Sequence, residues 1–293
     1  MTPHIVTELP ERNFILGLDS DGFHRIAWYR WPCVHGKARA TVLCVHGLTR
    51  NGRDFDRLAE GLVQRLPVEV VAVDIAGRGQ SEWRSAAACY TYPHYMADLT
   101  VLIARLAPER LFWVGTSMGG LLGLILAAQA NTPLERLVLN DIGPFIPQAA
   151  RARIASYAGL DVQFAREDEF AVHLRGLYAN FGVPDEAGWQ HMIAHSQRRT
   201  PEGMIAYNYD PKIAAAIHAA TADFDLWPLW DRLTCPTLVL RGESSDVLLP
   251  ETAEEMTRRG PRATLVLCPG CGHAPSLMRA NEIDAIAGFL APN

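Results

Sequence analysis

The residues best suited to carry out chemistry surround Ser117. Gly115 and Gly119 flank this serine in the pattern Gly-x-Ser-x-Gly, after an apolar run at 111–114 and before an Ala- and Leu-rich segment at 121–130. The order predicts a strand, a tight turn that carries the serine, and a helix, which together form a nucleophile elbow. The first N–H groups of such a helix carry partial positive charge and stabilise negative charge near the serine. We therefore predict that Ser117 is a nucleophile.

A phosphate-binding loop is the main competing interpretation of this stretch. Gly115 and Gly120 have the required Gly-x-x-x-x-Gly spacing, but Leu121 and Leu122 follow them. A phosphate-binding loop needs a lysine for the phosphates and a hydroxyl for magnesium at those two positions. The sequence therefore excludes it. Side chains at positions 115 and 119 would collide with neighbouring backbone, which explains why glycine is needed there.

A serine hydroxyl is a poor nucleophile at neutral pH and needs a base. His273 lies in a glycine-flanked loop after the apolar run 264–267, so we expect it to take the proton from Ser117 and later give it to the leaving group. Asp246 follows the apolar run 237–240 and is expected to fix the imidazole tautomer. These residues occur along the chain in the order serine, aspartate, histidine.

Asp141 is the alternative acid. It follows the apolar run 137–139, the next predicted strand after the elbow strand. Gly143 and Pro144 come shortly after it and also suit a plain turn. We therefore place Asp246 ahead of Asp141 as the predicted acid.

Alternating strands and helices are expected to position these groups. A hairpin is predicted within 14–31, strands at 41–45 and 68–75, and helices at 54–66 and 92–106. Continuous apolar strands between helices indicate a doubly wound, mostly parallel sheet, an α/β fold. In such a sheet, ligands bind beyond the carboxyl ends of the strands, where all the candidate residues lie.

The alternation stops in the middle of the chain. Residues 145–232 contain helical stretches at 149–157, 167–179 and 186–198 and no convincing strand. It resumes with the strands at 237–240 and 264–267 and a helix at 281–290. We therefore predict a core formed by residues 1–144 and 233–293, with a helical cap inserted at 145–232.

Taken together, these motifs resemble the α/β-hydrolase superfamily. The resemblance rests on Val45-His46-Gly47-Leu48, 74–81, 115–120, 241–246 and Gly272-His273. It implies an oxyanion hole formed by the backbone N–H groups of Leu48 and Met118, supported by the loop residues His46 and Gly47. It also implies that the segment 74–81, with Arg78, holds loops in place and does not contact substrate.

The type of nucleophile narrows the reaction that the resemblance implies. Haloalkane dehalogenases and epoxide hydrolases of this fold attack with aspartate, whereas Ser117 indicates acyl transfer. The loop His46-Gly47-Leu48 lacks the glycine run of lipases that act on bulky esters. We therefore expect a carboxylesterase-like enzyme that hydrolyses a small or medium carboxylic ester, or a lactone, through an acyl-enzyme on Ser117.

Two other functions stay open. Hydrolases that cleave C–C bonds of meta-cleavage products are similar, but they carry asparagine where this chain has Thr116 and a glycine-rich loop where it has Leu48-Thr49. A small-molecule receptor or signalling protein with an intact triad is the alternative from another class. One of the five arginines of the cap could pair with a substrate carboxylate, although a solvated helix face is the default. They are Arg151, Arg153, Arg175, Arg198 and Arg199.

Composition limits the partners. The chain has 293 residues, a formal net charge of -5 and ordinary proportions of apolar and charged residues, so neither nucleic acid nor a membrane is expected as a partner. Residues 1–8 lack the features of a signal peptide, which favours a cytoplasmic location.

Cys268 and Cys271 lack the second cysteine pair of a zinc site and are interpreted as reduced thiols. We expect a small-molecule acyl substrate and neither a metal nor an organic cofactor.

Overall fold

The computed structural model describes residues 10–219 and 221–291. The interpretation of residues 1–8 as lacking a signal peptide therefore lies outside the described residues. No helix within the described ranges combines the length and the apolar character that crossing a membrane requires.

The strands of the described residues fall into one large sheet and two small ones. In chain order they are β1 (Glu11–Asp19), β2 (Gly22–Trp31), β3 (Ala40–Val45), β4 (Val68–Val73), β5 (Leu111–Thr116), β6 (Leu134–Asn140), β7 (Phe145–Ile146), β8 (Gln163–Phe164), β9 (Gln197–Arg199), β10 (Ile205–Tyr207), β11 (Phe224–Asp225), β12 (Thr237–Gly242) and β13 (Thr264–Cys268).

The helices pack around these sheets. They are α1 (Asp56–Arg65), α2 (Tyr92–Leu106), α3 (Met118–Ala127), α4 (Gln148–Ala155), α5 (Glu167–Leu177), α6 (Glu186–Ser196), α7 (Ala215–His218), α8 (Trp227–Trp230), α9 (Pro250–Met256) and α10 (Ala280–Leu290). Short 3₁₀ turns occur at Gly52–Phe55, Ala87–Cys89, Ala179–Phe181 and Pro211–Ala214.

The large sheet has eight strands in the order β1-β2-β4-β3-β5-β6-β12-β13. β2 of the hairpin β1–β2 pairs antiparallel with β4. The other six strands of this sheet, β4, β3, β5, β6, β12 and β13, are parallel to one another. The predicted doubly wound, mostly parallel sheet is thereby confirmed. Its parallel strands all end at the same edge, and five of them, β3, β5, β6, β12 and β13, precede the candidate residues of the site.

Helices cover both faces of this sheet, as successive residues of β5 show. Trp113 packs in the same apolar cluster as Leu99 of α2, whereas Phe112 packs in the opposite cluster with Leu58 of α1 and Ile286 of α10. Because strand side chains alternate between faces, apolar residues are needed at consecutive positions. This explains the continuous apolar runs of the sequence.

Residues 145–232 are not purely helical, so the expectation that they contain no strand was wrong. β8, β10 and β9 form a small antiparallel sheet, and β11 pairs with β7. The helix predicted at 186–198 ends at Ser196, and Gln197–Arg199 is extended. These strands are two or three residues long, too short to show an alternating pattern in the sequence. The division into a core and an inserted cap stays a prediction.

Candidate active site

Three side chains meet in a line at the carboxyl edge of the large sheet. The Ser117 hydroxyl lies 2.9 Å from Nε2 of His273, and Nδ1 of that ring lies 2.7 Å from Oδ2 of Asp141. Because a carboxylate only accepts hydrogen bonds, Nδ1–H donates to Asp141 and leaves Nε2 free to accept from the serine. This is the arrangement of a nucleophile, a base and an orienting acid.

The acid beside His273 is Asp141, so the preference for Asp246 was wrong. Asp246 is exposed, with about half of its side chain open to solvent, and it pairs with Arg153 through a bond of 2.8 Å to Nη2. It lies four residues beyond the end of β12, whereas Asp141 directly follows β6. β6 is the neighbour of the elbow strand β5, and this position brings Asp141 to the histidine.

The loop after β12 supports Asp141. The backbone N–H of Gly242 donates to Oδ1 of Asp141 at 2.7 Å, and the Ser245 hydroxyl donates to Oδ2 at 2.5 Å. Asp141 is fully buried, and these hydrogen bonds offset the cost of removing its polar oxygens from water. The segment 241–246 therefore contributes to the site through Gly242 and Ser245, two residues that the sequence interpretation did not assign to it.

Ser117 occupies a strained backbone conformation. Its φ is 51° and its ψ is −116°, and residues with a side chain rarely adopt positive φ. A Cβ at Gly119 would lie 1.9 Å from the carbonyl oxygen of Val45, and one at Gly115 would lie 2.4 Å from the Gly119 oxygen. Both glycines are thus required by close backbone approach, which allows the turn to project the serine hydroxyl.

The two predicted oxyanion donors border the same cavity as Ser117. Met118 is the first residue of α3, so its N–H has no carbonyl partner within the helix. Leu48 lies in the loop after β3, where a Cβ on the preceding Gly47 would come 3.6 Å from Cβ of Ser117. Arg78 is fully buried and donates to the Leu48 oxygen at 2.9 Å and to Sδ of Met118 at 3.7 Å. Arg78 therefore fixes the positions of Leu48 and Met118, the two predicted donor residues, relative to each other.

Both ring nitrogens of His46 contact backbone atoms, so this side chain holds the loop after β3. It is fully buried, its Nε2 accepts from the backbone N–H of Ile75 at 3.0 Å, and its Nδ1 lies 2.7 Å from the Gly47 oxygen. Burial lowers the pKa of His46 to about 3. The ring is therefore neutral at physiological pH and serves as a hydrogen-bonding bridge.

The buried, neutral His46 predicts a pH dependence of stability. Below the ordinary pKa of 6.5 the unfolded chain binds a proton at this ring, whereas the folded chain does not until about pH 3. The free energy of unfolding therefore falls as pH drops through this window. We expect the stability advantage of wild type over His46→Gln to shrink by up to about 1.4 kcal/mol per pH unit below 6.5.

Urea unfolding of both proteins at pH 7, 6 and 5 measures this advantage. His35→Gln is a matched control because His35 lies on the exposed surface. A constant difference between wild type and His46→Gln across the three pH values would contradict the assignment of a neutral His46.

The loop that carries His273 is held from both sides. On the sheet side, Nδ2 of Asn140 donates to the Pro275 oxygen at 2.8 Å. From the segment 145–232, the oxygen of Asn180 accepts from the Gly272 N–H at 2.7 Å, and that of Phe181 accepts from the Ser276 N–H at 2.8 Å. The sequence analysis missed these residues. Asn180 and Phe181 act through backbone atoms, which carry no residue-type signal.

The site opens into a cavity of about 350 Å³, within the usual size range of small-molecule sites. Its walls are mainly apolar. The apolar residues lining it include Leu121, Ile142, Ile146, Ile154, Met192, Ile213, Ile217, Phe224 and Val247. Tyr157 and Tyr178 of the segment 145–232 also line the cavity.

One group of side chains among the described residues has the composition of a metal site. Donor atoms of Asp56, His191 and His195 lie within 4.8 Å of one another. Asp56 is already ion-paired with Arg53, whose Nε lies 2.9 Å and 3.0 Å from its two oxygens. The guanidinium occupies the carboxylate and repels a cation, so the donor set does not fit a resident metal.

All six cysteines are free, including Cys268 and Cys271. Burial raises the pKa of Cys268 to about 12 and that of Cys271 to about 11. Both groups are therefore thiols at neutral pH, which agrees with their interpretation as reduced thiols.

Comparison with known proteins agrees with this geometry. Residues 42–287 match the alpha/beta hydrolase family. A 3-hydroxybutyrate-oligomer hydrolase of Cupriavidus necator is 38% identical over 96% of this chain and 98% of its own length. An esterase of Mycobacterium tuberculosis is 29% identical over 80% of this chain and 75% of its own. The crystal structure of an alpha/beta hydrolase from Novosphingobium aromaticivorans superposes with a TM-score of 0.84, at 35% identity and covering 96% of this chain and 98% of that one. The chain therefore belongs to the α/β-hydrolase family, as an esterase-like hydrolase.

Proposed function

We propose that this protein hydrolyses short esters of hydroxy acids, such as linear 3-hydroxybutyrate oligomers, through an acyl-enzyme on Ser117. The observation that carries the reaction is the hydrogen-bonded series Ser117–His273–Asp141, with contacts of 2.9 Å and 2.7 Å, in which Ser117 and His273 line a mainly apolar cavity. The full-length similarity to a 3-hydroxybutyrate-oligomer hydrolase supports the substrate class.

The proposed reaction begins when Nε2 of His273 takes the hydroxyl proton as Ser117 Oγ attacks the ester carbonyl. The N–H groups of Leu48 and Met118 stabilise the tetrahedral oxyanion, and the Asp141 carboxylate stabilises the imidazolium. The C–O bond then breaks, and the imidazolium protonates the leaving alkoxide. Water, deprotonated by the same ring, attacks the acyl-enzyme. The acyl C–O bond to Ser117 then breaks, the imidazolium protonates Ser117 Oγ, and the acid is released.

The cavity supports a small or medium substrate. Its volume of about 350 Å³ lies near the lower end of the usual range for ligand sites. The mainly apolar lining suits the methyl and methylene groups of a 3-hydroxyalkanoate. The cytoplasmic location stays a prediction.

Steady-state kinetics with a substrate panel tests the proposal. The panel contains the dimer, trimer and tetramer of (R)-3-hydroxybutyrate, p-nitrophenyl butyrate, a δ-lactone and one meta-cleavage dienoate. We expect the oligomers to turn over with kcat/KM of about 10⁴ M⁻¹s⁻¹ or more. Turnover of the dienoate alone would replace this function by C–C hydrolysis. Tight binding with a single turnover would favour a receptor.

A further inference from the structure

The five cap arginines differ sharply in their surroundings, and Arg151 is the one of the five that lines the cavity. Three of the others are paired with carboxylates, and the fourth stacks on an aromatic ring. The contacts are Arg153 with Asp246, Arg175 with Glu186, Arg199 with Glu167, and Arg198 over Trp83. This difference singles out Arg151 as the cap cation that a bound substrate can reach.

Arg151 has no carboxylate partner among the described residues. Its Nη1 donates to the Ala222 oxygen at 2.5 Å, and its guanidinium lies over the Phe224 ring at 5.5 Å from the centroid. A guanidinium carries several N–H donors in a planar fork, so one carbonyl leaves most of its capacity unused. Arg50, the other arginine of the cavity wall, is neutralised by Asp54, with bonds of 2.8 Å and 2.5 Å.

The surroundings of Arg151 include one further donor. Tyr92 lines the same cavity, and its ring meets Phe224 edge-on at 6.2 Å. Burial raises the pKa of Tyr92 to about 12, opposed in part by the nearby charge of Arg151. The Tyr92 hydroxyl is therefore protonated and able to donate. Ile146 and Ile154 belong to the same cavity wall, and their apolar surface limits solvent screening of a charge bound there.

We propose that Arg151 binds the terminal carboxylate of the substrate, so the enzyme prefers oligoesters with a free acid end to neutral esters of the same length. This inference rests on the proposed function. Each ester bond of a linear hydroxy-acid oligomer has the carboxylate on its leaving-group side, because the chain ends in a free acid. A guanidinium can form two hydrogen bonds to a carboxylate, and these bonds are stronger than those to a neutral ester. A ligand without the terminal charge should therefore bind more weakly at this apolar wall.

Kinetics on a matched substrate pair tests the assignment. The substrates are the 3-hydroxybutyrate dimer and its methyl ester, which differ by the terminal charge. In wild type we expect the acid to have the higher kcat/KM, and in Arg151→Gln we expect the acid-to-ester ratio to fall about tenfold, mainly through KM of the acid. Arg151→Lys should recover part of the ratio because it keeps the charge without the fork.

Arg153→Gln is the matched control, because Arg153 lies on the same helix and is already paired with Asp246. It should keep the wild-type ratio. An unchanged ratio in Arg151→Gln would overturn the carboxylate site even though the dimer is still hydrolysed. A fall of equal size in Arg153→Gln would also overturn it, because the effect would then be general to positive charge.

Calorimetric binding separates this inference from the proposed reaction. Ser117→Ala, titrated with the dimer acid and its methyl ester, should bind the acid about tenfold more tightly, and Ser117→Ala/Arg151→Gln should lose that preference. If wild type hydrolyses no oligoester but Arg151 still controls this preference, the reaction is overturned and the carboxylate site stands. Equal affinities of Ser117→Ala for both ligands overturn the site.

Discussion

Replacing Ser117 by alanine will lower kcat for ester hydrolysis by about 10⁶-fold, the loss seen when a serine nucleophile is removed. Ser117 Oγ is the atom that attacks in the proposed reaction, and it lies 2.9 Å from Nε2 of His273. The oxyanion donors remain, so hydrolysis should still exceed the rate in water. Initial rates with p-nitrophenyl butyrate and the 3-hydroxybutyrate dimer measure the loss.

The matched control for this variant is Ser156→Ala. Ser156 is an exposed serine whose hydroxyl bonds to the Arg153 oxygen, away from the catalytic line. It should keep wild-type activity. Labelling with a fluorophosphonate should add one adduct to wild type and to Ser156→Ala and none to Ser117→Ala. Residual activity of Ser117→Ala within tenfold of wild type would show that the nucleophile lies elsewhere.

Replacing Asp141 by asparagine will lower kcat by about 10³- to 10⁴-fold. An asparagine amide at this position can donate to Nδ1 and stabilise the tautomer that presents Nε2–H to Ser117, so the ring can no longer accept the serine proton. It also removes the negative charge that stabilises the imidazolium. Asp246→Asn should change kcat by no more than about threefold, because it removes an exposed ion pair with Arg153.

The pair of variants decides between the two acids. A large loss in Asp246→Asn with a small one in Asp141→Asn would reverse the assignment made from the geometry. Thermal unfolding of both variants is the control, because Asp141 also accepts from Gly242 and Ser245 and its replacement affects stability. Activity is therefore measured at a temperature where each variant remains folded.

The central part of the fold could be predicted because its physics is local. The apolar run at 41–45 became β3, covered on both faces, and the predicted helix at 92–106 coincides with α2. The elbow could be read from Gly115, Ser117 and Gly119 because the steric requirement falls on neighbouring positions in the chain. In each case the residues that determine the structure lie within a few positions of one another.

The acid could not be chosen correctly because the choice depends on non-local geometry. Asp141 and Asp246 both follow strands, and the chain order serine, aspartate, histidine holds for either. The deciding facts are that β6 lies next to β5 and that Gly242 and Ser245 donate to Asp141. The immediate proximity of Asp141 to its strand was the available signal.

The N–H groups of Gly272 and Ser276 donate hydrogen bonds to the backbone oxygens of Asn180 and Phe181, and this has a consequence for engineering. Residues 178–181 of the predicted cap contribute to the cavity lining and also hold the loop of His273, the proposed general base. Transplanting a cap from another hydrolase would therefore exchange the substrate walls and, in the same step, remove two of the restraints on His273. A chimera of this kind should keep the turn Ala179–Phe181 from this chain, so that the shape of the cavity can be varied without altering the position of His273.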